Sequence, residues 1–227
     1  MKIAWLGHSG FRIEIADQVL LVDPWLRGNP MFDEARFDEA VAGATHILIS
    51  HGHGDHSANA VEISKATGAP IVGIYDLMEH FRVAGGVPTI GFNKGGTVAL
   101  GETAVTMVSA THSSSGPDLP YSGTEAGFMI AGEGRTIYFS GDTDVMADMA
   151  IFQDLHRPEI GILCCGGHFT MDQRRAAYAA RTFFDFKTVI PCHYKTFPLL
   201  AQDAEVLKAE LPGVQVLEPE VMVPFEL

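Results

Sequence analysis

Short apolar runs separated by turn residues mark the first part of the chain. The runs at residues 3–6, 11–15 and 19–22 have the length of strands, and the second alternates apolar with polar side chains. Alternation with a period of two places one face of a strand in the core and the other in solvent. The pattern therefore predicts three strands of an antiparallel meander.

Helix-like and strand-like segments alternate after this meander. We expect a helix at 33–42, a strand at 46–50, a helix at 58–67 and a strand at 70–73. The same order then recurs in the second half, where a group of strands again precedes alternating helices and strands. The predicted strands there are 97–100, 104–110, 126–131, 135–140, 159–164, 188–191 and 214–217, and the helices are 146–155, 171–184 and 199–211.

Each half thus combines meander strands with alternating helices and strands, which is typical of a mixed sheet. Two such sheets can bury their apolar faces against each other, with helices on the outer faces. The predicted fold class is α/β, a four-layer αββα sandwich of two mixed β-sheets. No Pro/Ser-rich linker divides the chain, so we expect a single domain over residues 1–227. Functional side chains are expected in loops that follow strands.

Composition and charge exclude several classes of protein. Of the 227 residues, 47% are hydrophobic and 19% are charged, which favours a packed core over disorder. No apolar run approaches the roughly 20 residues that cross a bilayer, and no signal-peptide pattern is present, so a cytoplasmic location without membrane partners is expected. The formal net charge of −13 opposes binding to nucleic acid. Three cysteines, an odd number, favour reduced thiols over disulfides.

A cluster of potential metal ligands follows the predicted strand at 46–50. His51, His53, Asp55 and His56 occupy six consecutive positions, with glycines between them. In an extended segment the side chains of His51 and His53 point the same way, so both can bind one cation. The glycines allow the backbone to turn Asp55 and His56 toward a second cation. The loop therefore predicts two adjacent metal sites.

This loop resembles the H-x-H-x-D-H signature of the metallo-β-lactamase superfamily. The superfamily completes a dinuclear site with a later histidine, a bridging aspartate and a last histidine, each after a strand. His112, Asp142 and His193 match these positions in order. The resemblance implies a first metal site of His51, His53 and His112, a second of Asp55, His56 and His193, and Asp142 between them.

Four further segments resemble one bacterial branch of metal-dependent hydrolases, related to ascorbate-6-phosphate lactonase. They are GHSGF at 7–11, VDP at 22–24, GGHFTM at 166–171 and HYKTFP at 193–198. N-acylphosphatidylethanolamine phospholipase D is a more distant resemblance. The chain has Ala-Thr-His at 110–112, where glyoxalase II and the ribonuclease Z group have Pro-Gly-His. That difference disfavours glutathione thioesters and tRNA as substrates.

Several polar residues outside the ligand set have two interpretations. His168 follows a strand and a Gly-Gly turn, so we expect it to contact substrate or act in catalysis, the alternative being a structural role at a helix start. Asp23 either orients a ligand histidine or forms a turn before Pro24. His8 is either a site residue or a solvated turn residue. Lys195 either meets an anionic substrate group or is solvated.

The residues alone predict metal-assisted hydrolysis of an ester-like bond of a small molecule. Two divalent ions about 3.5–4 Å apart can share a hydroxide nucleophile near neutral pH, with Asp55 or His168 as proton donor. Zn²⁺ suits the ligands best, while Mn²⁺, Fe²⁺ and Ni²⁺ remain acceptable. The family resemblance adds the substrate classes, with a lactone or carboxylic ester as the first choice and a phosphodiester as the alternative. A non-hydrolytic metal-binding protein is the rival class, and a homo-oligomer is compatible with the sequence.

Overall fold

The computed structural model describes residues 1–116, 119 and 121–227, and its strands form two seven-stranded sheets. The first sheet has the order β14-β1-β2-β3-β4-β5-β6. Its strands are β1 (Lys2–Gly7), β2 (Gly10–Ile15), β3 (Gln18–Val22), β4 (His46–Ile49), β5 (Ile71–Ile74), β6 (Thr89–Phe92) and β14 (Phe225–Glu226).

The second sheet has the order β13-β12-β11-β10-β9-β8-β7. Its strands are β7 (Thr97–Leu100), β8 (Thr103–Ser109), β9 (Ala126–Gly132), β10 (Arg135–Phe139), β11 (Ile160–Cys164), β12 (Thr188–Cys192) and β13 (Gln215–Val216).

Both sheets are mixed in the same manner. In the first, β14 to β3 pair antiparallel and β3 to β6 pair parallel. In the second, β7 to β10 pair antiparallel and β10 to β13 pair parallel. The central parallel strands β11 and β12 are buried along their whole length, as expected for strands covered on both faces.

The two sheets pack face to face through aromatic and aliphatic side chains. Phe11 of the first sheet lies edge-on to Phe139 of the second, with ring centroids 6.3 Å apart, and Phe92 stacks on Phe128 at 6.4 Å. Helices α3 and α4 pack on the first sheet and α6 on the second. The predicted four-layer αββα sandwich is therefore confirmed. The single domain over 1–227 stays a prediction.

The helices of the sandwich are mostly short. A 3₁₀ turn at Glu34–Arg36 precedes α1, and a π-helical turn at Phe81–Gly85 extends α4. The α-helices are α1 (Phe37–Val41), α2 (Gly54–Ser57), α3 (Ala60–Thr67), α4 (Tyr75–His80), α5 (Met149–His156), α6 (Gln173–Phe183) and α7 (Glu205–Glu210). No helix among the described residues is long and apolar enough to cross a membrane.

Helix α7 is shorter than the helix predicted at 199–211. The preceding segment bonds to other parts of the fold instead: the amide of Lys195 donates to Ala201 O at 2.8 Å, and that of Ala201 donates to Gly166 O at 2.9 Å. Strand β6 was not predicted. Because β6 is only four residues long and half-exposed, its apolar pattern is weak.

Loops that follow several strands meet at one edge of the sandwich. The loop after β1 carries His8, the loop after β4 carries residues 51–53, and the loops after β10 and β12 carry Asp142 and His193. The carboxyl ends of parallel strands lie at a common edge, which explains this convergence.

Candidate metal centre

The loop after β4 is compressed against Ser114 and Ser122 of a second loop. A Cβ added at Gly52 would lie 2.5 Å from Ser122 Oγ and 2.6 Å from Ser114 O, so only glycine fits this position. The Gly52 amide donates to Ser114 Oγ at 3.1 Å. This close contact fixes the turn that carries His51 and His53.

The first ligand group consists of His51, His53 and His112. One nitrogen of each ring lies within 4.8 Å of the others. His51 Nε2 is 3.0 Å from His53 Nδ1, and the His112 ring lies 5.4 Å and 5.0 Å from the two. The three imidazoles predicted for the first metal therefore converge on one point.

The second ligand group lies beside the first. Asp55, His56 and His193, together with His8, offer ligand atoms that all lie within 4.8 Å of one another. Three members of this group are those predicted for the second metal. His8 is the addition.

Asp142 lies between the two groups. Its Oδ2 is 3.0 Å from His193 Nε2 and 3.2 Å from His56 Nε2 on one side. On the other side it is 3.5 Å from His112 Nε2 and 3.9 Å from His51 Nε2. One carboxylate oxygen thus faces both groups, which is the position predicted for the bridging ligand.

Three buried polar atoms at this centre lack a hydrogen-bond partner among the described residues. They are Asp142 Oδ1, His56 Nε2 and His193 Nδ1. Leaving such an atom unpaired costs about 1–3 kcal/mol, so native structures rarely do it without a reason. Imidazole nitrogens and carboxylate oxygens are the ligands of Zn²⁺ and related ions. The residues present therefore fit a pair of divalent cations.

The electrostatics of the centre favour metal binding. Burial lowers the pKa of His51 well below its usual value and also lowers the pKa of His53 and of His112, which keeps these imidazoles neutral as metal ligation requires. Burial works to raise the pKa of Asp142, but His193 and His56 hold it well below its ordinary value. The carboxylate is therefore ionised.

His56 has the opposite shift because it is surrounded by carboxylates. Burial opposes its charged form, yet Asp142, Asp23 and Asp55 raise its pKa well above the usual value. Three carboxylates around one buried imidazole make a site for positive charge, and a divalent cation supplies such charge.

Asp23 fixes the orientation of His56 by a hydrogen bond to its Nδ1. Its Oδ2 accepts from His56 Nδ1 at 2.7 Å and from Ser50 Oγ at 2.5 Å, and its Oδ1 accepts from the Ser50 amide at 2.8 Å. These bonds leave His56 Nε2 pointing toward Asp142. Asp23 also has a left-handed backbone with φ of 44°, and its carbonyl accepts from the Trp25 amide. Asp23 thus forms the turn before Pro24 and also bonds to His56, a predicted ligand.

His8 is buried and has partners at both ring nitrogens. Nε2 lies 3.0 Å from Asp55 Oδ2, and Nδ1 lies 2.8 Å from Thr196 Oγ1. Burial lowers the pKa of His8 to about 4, against the opposing effect of Asp55. The solvated-turn alternative is therefore wrong. Thr196 carried no signal in the sequence, because 188 residues separate it from His8.

His168 lies apart from both ligand groups. Its side chain is exposed, its φ is 56°, and its ring lies edge-on to Phe169 at 4.5 Å. The loop that carries it is anchored beside Asp142, because the Met171 amide donates to Thr143 O at 3.1 Å. A position at the rim rather than in the ligand shell follows, and the catalytic role of His168 stays a prediction.

Lys195 pairs with an acidic residue of the protein. Its Nζ lies 2.9 Å from Glu218 Oε2, which also accepts from Tyr194 OH at 3.4 Å. The Tyr194 ring is buried and stacks on Trp5 at 5.4 Å. This ammonium is thus engaged in attaching the C-terminal segment.

Comparison with known proteins identifies the family. The model of the beta-lactamase superfamily domain matches residues 2–193, which includes every predicted metal ligand. The chain belongs to the metallo-β-lactamase superfamily.

Relatives of this superfamily member span its whole length. A metal-dependent hydrolase of Dinoroseobacter shibae is 70% identical and one of Paracoccus denitrificans is 65% identical, each over 100% of both chains. The solved structure of Igni18, a metallo hydrolase from Ignicoccus hospitalis, has a TM-score of 0.84 at 32% identity and covers 100% of this chain and 98% of that one. The chain thus belongs with metal-dependent hydrolases of the superfamily. The finer resemblance to ascorbate-6-phosphate lactonase stays a prediction.

Proposed function

We propose that the protein is a dinuclear metal-dependent hydrolase that cleaves an ester-like bond, with a lactone or carboxylic ester as substrate. The position of Asp142 Oδ2, within 3.9 Å of imidazoles from both ligand groups, carries this proposal. A carboxylate so placed can bind two cations at once. Zn²⁺ is the ion that the ligand set suits best.

The proposed division of ligands follows the two groups. His51, His53 and His112 hold the first ion, while Asp55, His56 and His193 hold the second, and Asp142 binds both. When bound, such a pair of ions polarises the scissile carbonyl and makes water acidic enough to attack near neutral pH. Asp23 orients His56 so that its Nε2 faces the centre.

Asp55 and His168 are the two candidates for proton donation to the leaving group. Asp55 is 30% exposed, against 2% for Asp142, so its carboxylate is the one that substrate can reach. Burial acts to raise the pKa of Asp55, but His56 and His8 lower it overall, so the carboxylate is ionised, which suits it to bind a cation rather than a proton. An ionised carboxylate is a poor acid. We therefore assign donation to the leaving group to His168, at the rim.

Charge favours a neutral ester over a phosphodiester. The formal net charge is −13, and Lys195, the basic residue beside His193, is paired with Glu218. An anionic phosphodiester would approach against this field. A phosphodiester therefore remains the alternative substrate class.

An activity screen with a matched pair of variants tests the proposal. Protein loaded with Zn²⁺ is assayed on a γ-lactone, a carboxylic ester and a phosphodiester, alongside Asp142→Asn and Asp144→Asn. Asp142→Asn should lose metal and turnover, because the bridging charge is gone. Asp144→Asn should keep both, since that carboxylate bonds to Arg175 at 2.6 and 2.7 Å on the exposed surface.

Two results would contradict the proposal. Equal loss in the two variants would assign the effect to the loop rather than to the bridge. Two bound ions without hydrolysis of any of the three substrates would favour a non-hydrolytic metal-binding protein.

A further inference from the structure

The turn between β1 and β2 places one buried imidazole between the metal centre and the loop after β12. His8 adopts φ of 53°, and its side chain is fully buried. Its carbonyl accepts from the His193 amide at 3.0 Å and from Trp5 Nε1 at 2.9 Å. The backbone of this turn is therefore attached to a proposed ligand of the second ion, and the ring has little freedom to move.

The partners of the ring determine which nitrogen carries the hydrogen. An ionised carboxylate only accepts hydrogen bonds, so His8 Nε2 must donate to Asp55 Oδ2 across the 3.0 Å contact. A neutral imidazole has one N–H, which leaves Nδ1 as an acceptor. The Thr196 hydroxyl is then the donor to Nδ1, because it lies 2.8 Å from that nitrogen and 3.1 Å from another acceptor, Tyr194 O. The result is a directed chain from Thr196 through His8 to Asp55.

Asp55 needs such support more than the other ligands do. It lies on α2, a single turn at Gly54–Ser57, and it is the most exposed of the carboxylates at the centre. His56 already has Asp23 to orient it. The corresponding orienting group for Asp55 is His8.

We propose that His8 is a positioning residue, which holds the Asp55 carboxylate toward the second ion, and that Thr196 selects the His8 tautomer able to do so. The inference rests on the proposed function, because it takes Asp55 as a metal ligand. Its alternative is that His8 itself binds the ion, since one of its ring nitrogens lies within 4.8 Å of ligand atoms of Asp55, His56 and His193.

Two pairs of substitutions separate these roles. In His8→Gln the side-chain amide can still donate near the former Nε2, whereas in His8→Ala no donor remains. Thr196→Val keeps the shape of the side chain but cannot donate to Nδ1, whereas Thr196→Ser can. Thr103→Val is the matched control, because Thr103 is also buried and bonds to Ile15 O on another part of the sheet.

The measurement is the affinity for each of two Zn²⁺ equivalents, by titration against a chromophoric chelator. His8→Ala should weaken one equivalent by about 10–100-fold and leave the other unchanged, the usual range for loss of a group that orients a ligand. Thr196→Val should weaken the same equivalent less. His8→Gln, Thr196→Ser and Thr103→Val should stay close to the parent protein.

The outcomes that overturn the proposal are distinct. If His8→Gln is as defective as His8→Ala while Thr196→Val is normal, His8 is a ligand and not a positioning residue. If neither equivalent weakens in His8→Ala, His8 does not support Asp55. Absence of hydrolysis in the parent protein would contradict the proposed function, but the measurement of Zn²⁺ affinity would still test the role of His8. Should His8→Ala fail to fold, the two Thr196 variants decide the question.

Discussion

His56 illustrates how single side chains are fixed at this centre. Its Nδ1 donates to Asp23 at 2.7 Å, and its Nε2 lies 3.2 Å from Asp142. The orientation of the ring is thus fixed through Nδ1, and Nε2 faces the metal centre. A ligand fixed in this way loses little conformational entropy when a cation binds, so the arrangement favours high metal affinity.

A substitution at the rim tests the assignment of proton donation. His168→Ala should leave metal content nearly unchanged, because the ring lies outside both ligand groups among the described residues. Turnover of an ester with a poor leaving group should fall by about 10²–10⁴-fold, the typical contribution of a general acid. With an activated leaving group the loss should shrink. Steady-state kinetics on the two esters and elemental analysis provide the measurements.

His80→Ala is the matched control for this variant. His80 also lies edge-on to a following phenylalanine, at 6.0 Å, on helix α4. It should have parent-like kinetics. Loss of one metal in His168→Ala would instead make His168 a ligand and the assignment of the second group wrong.

At the scale of residues, the sequence predicted those site residues that lie close together in the chain or follow the order of a known motif. The seven ligand candidates were found because four lie in one loop and three follow strands in superfamily order. The contact of His8 with Thr196 spans 188 residues and involves no charge pattern, so it emerges only from the packed sheets. The pairing of Lys195 with Glu218 was missed for the same reason.

At the scale of elements, the site depends on how one loop lies against another. Ser114 and Ser122 bond to each other at 2.8 Å and both lie against Gly52. The Thr111 amide donates to Thr143 Oγ1 at 3.0 Å, which links the loop of His112 to the loop of Asp142. The predicted ligands after different strands are therefore held in register by contacts between loops.

Gly52→Ala should disturb this arrangement. The added Cβ would meet Ser122 Oγ at 2.5 Å and the Ser114 carbonyl at 2.6 Å, so one loop must move. Overpacking of this kind costs about 1–3 kcal/mol, and here it displaces the turn that carries two ligands. We expect a lower free energy of unfolding and weaker binding of the ion held by His51 and His53. Urea unfolding and chelator titration measure the two effects.

Gly54→Ala is the internal control for that substitution. A Cβ at Gly54 meets nothing within 4 Å, and Gly54 lies only two residues further along the loop. It should be nearly neutral. Equal effects of the two alanines would show that the loop needs flexible glycines and not the close approach at Gly52.

Element boundaries were harder to predict than element types. The central strands have long apolar runs, so their positions agree closely with the prediction. The segment at 199–204 has a helix-like composition, yet the Ala201 amide bonds to Gly166 and the Lys195 amide to Ala201. Tertiary hydrogen bonds of this kind override local propensity and leave no periodic pattern in the sequence.

At the scale of the molecule, two buried carboxylates lie where the two sheets meet at the loop edge of an acidic chain. Asp23 and Asp142 are 0% and 2% exposed, and the chain carries a formal net charge of −13. Buried carboxylates are costly unless they are paired or bind metal. Cations at this edge should therefore stabilise the whole fold as well as supply chemistry.

Metal removal should for this reason lower the thermal stability of the protein. A ligand present at about 100 times its dissociation constant stabilises the native state by about 2.7 kcal/mol. In a chain of this size each kcal/mol shifts the melting temperature by about 2–4 °C, so chelation should lower it by about 5–10 °C. Scanning calorimetry with chelator, and again after Zn²⁺ is restored, measures the shift.

Asp142→Asn should respond much less to chelator, because the carboxylate facing both ligand groups is gone. A parent protein that melts at the same temperature in chelator and in Zn²⁺ would mean that the buried carboxylates are compensated by their histidine partners alone, and the two-ion centre would then lose its energetic basis.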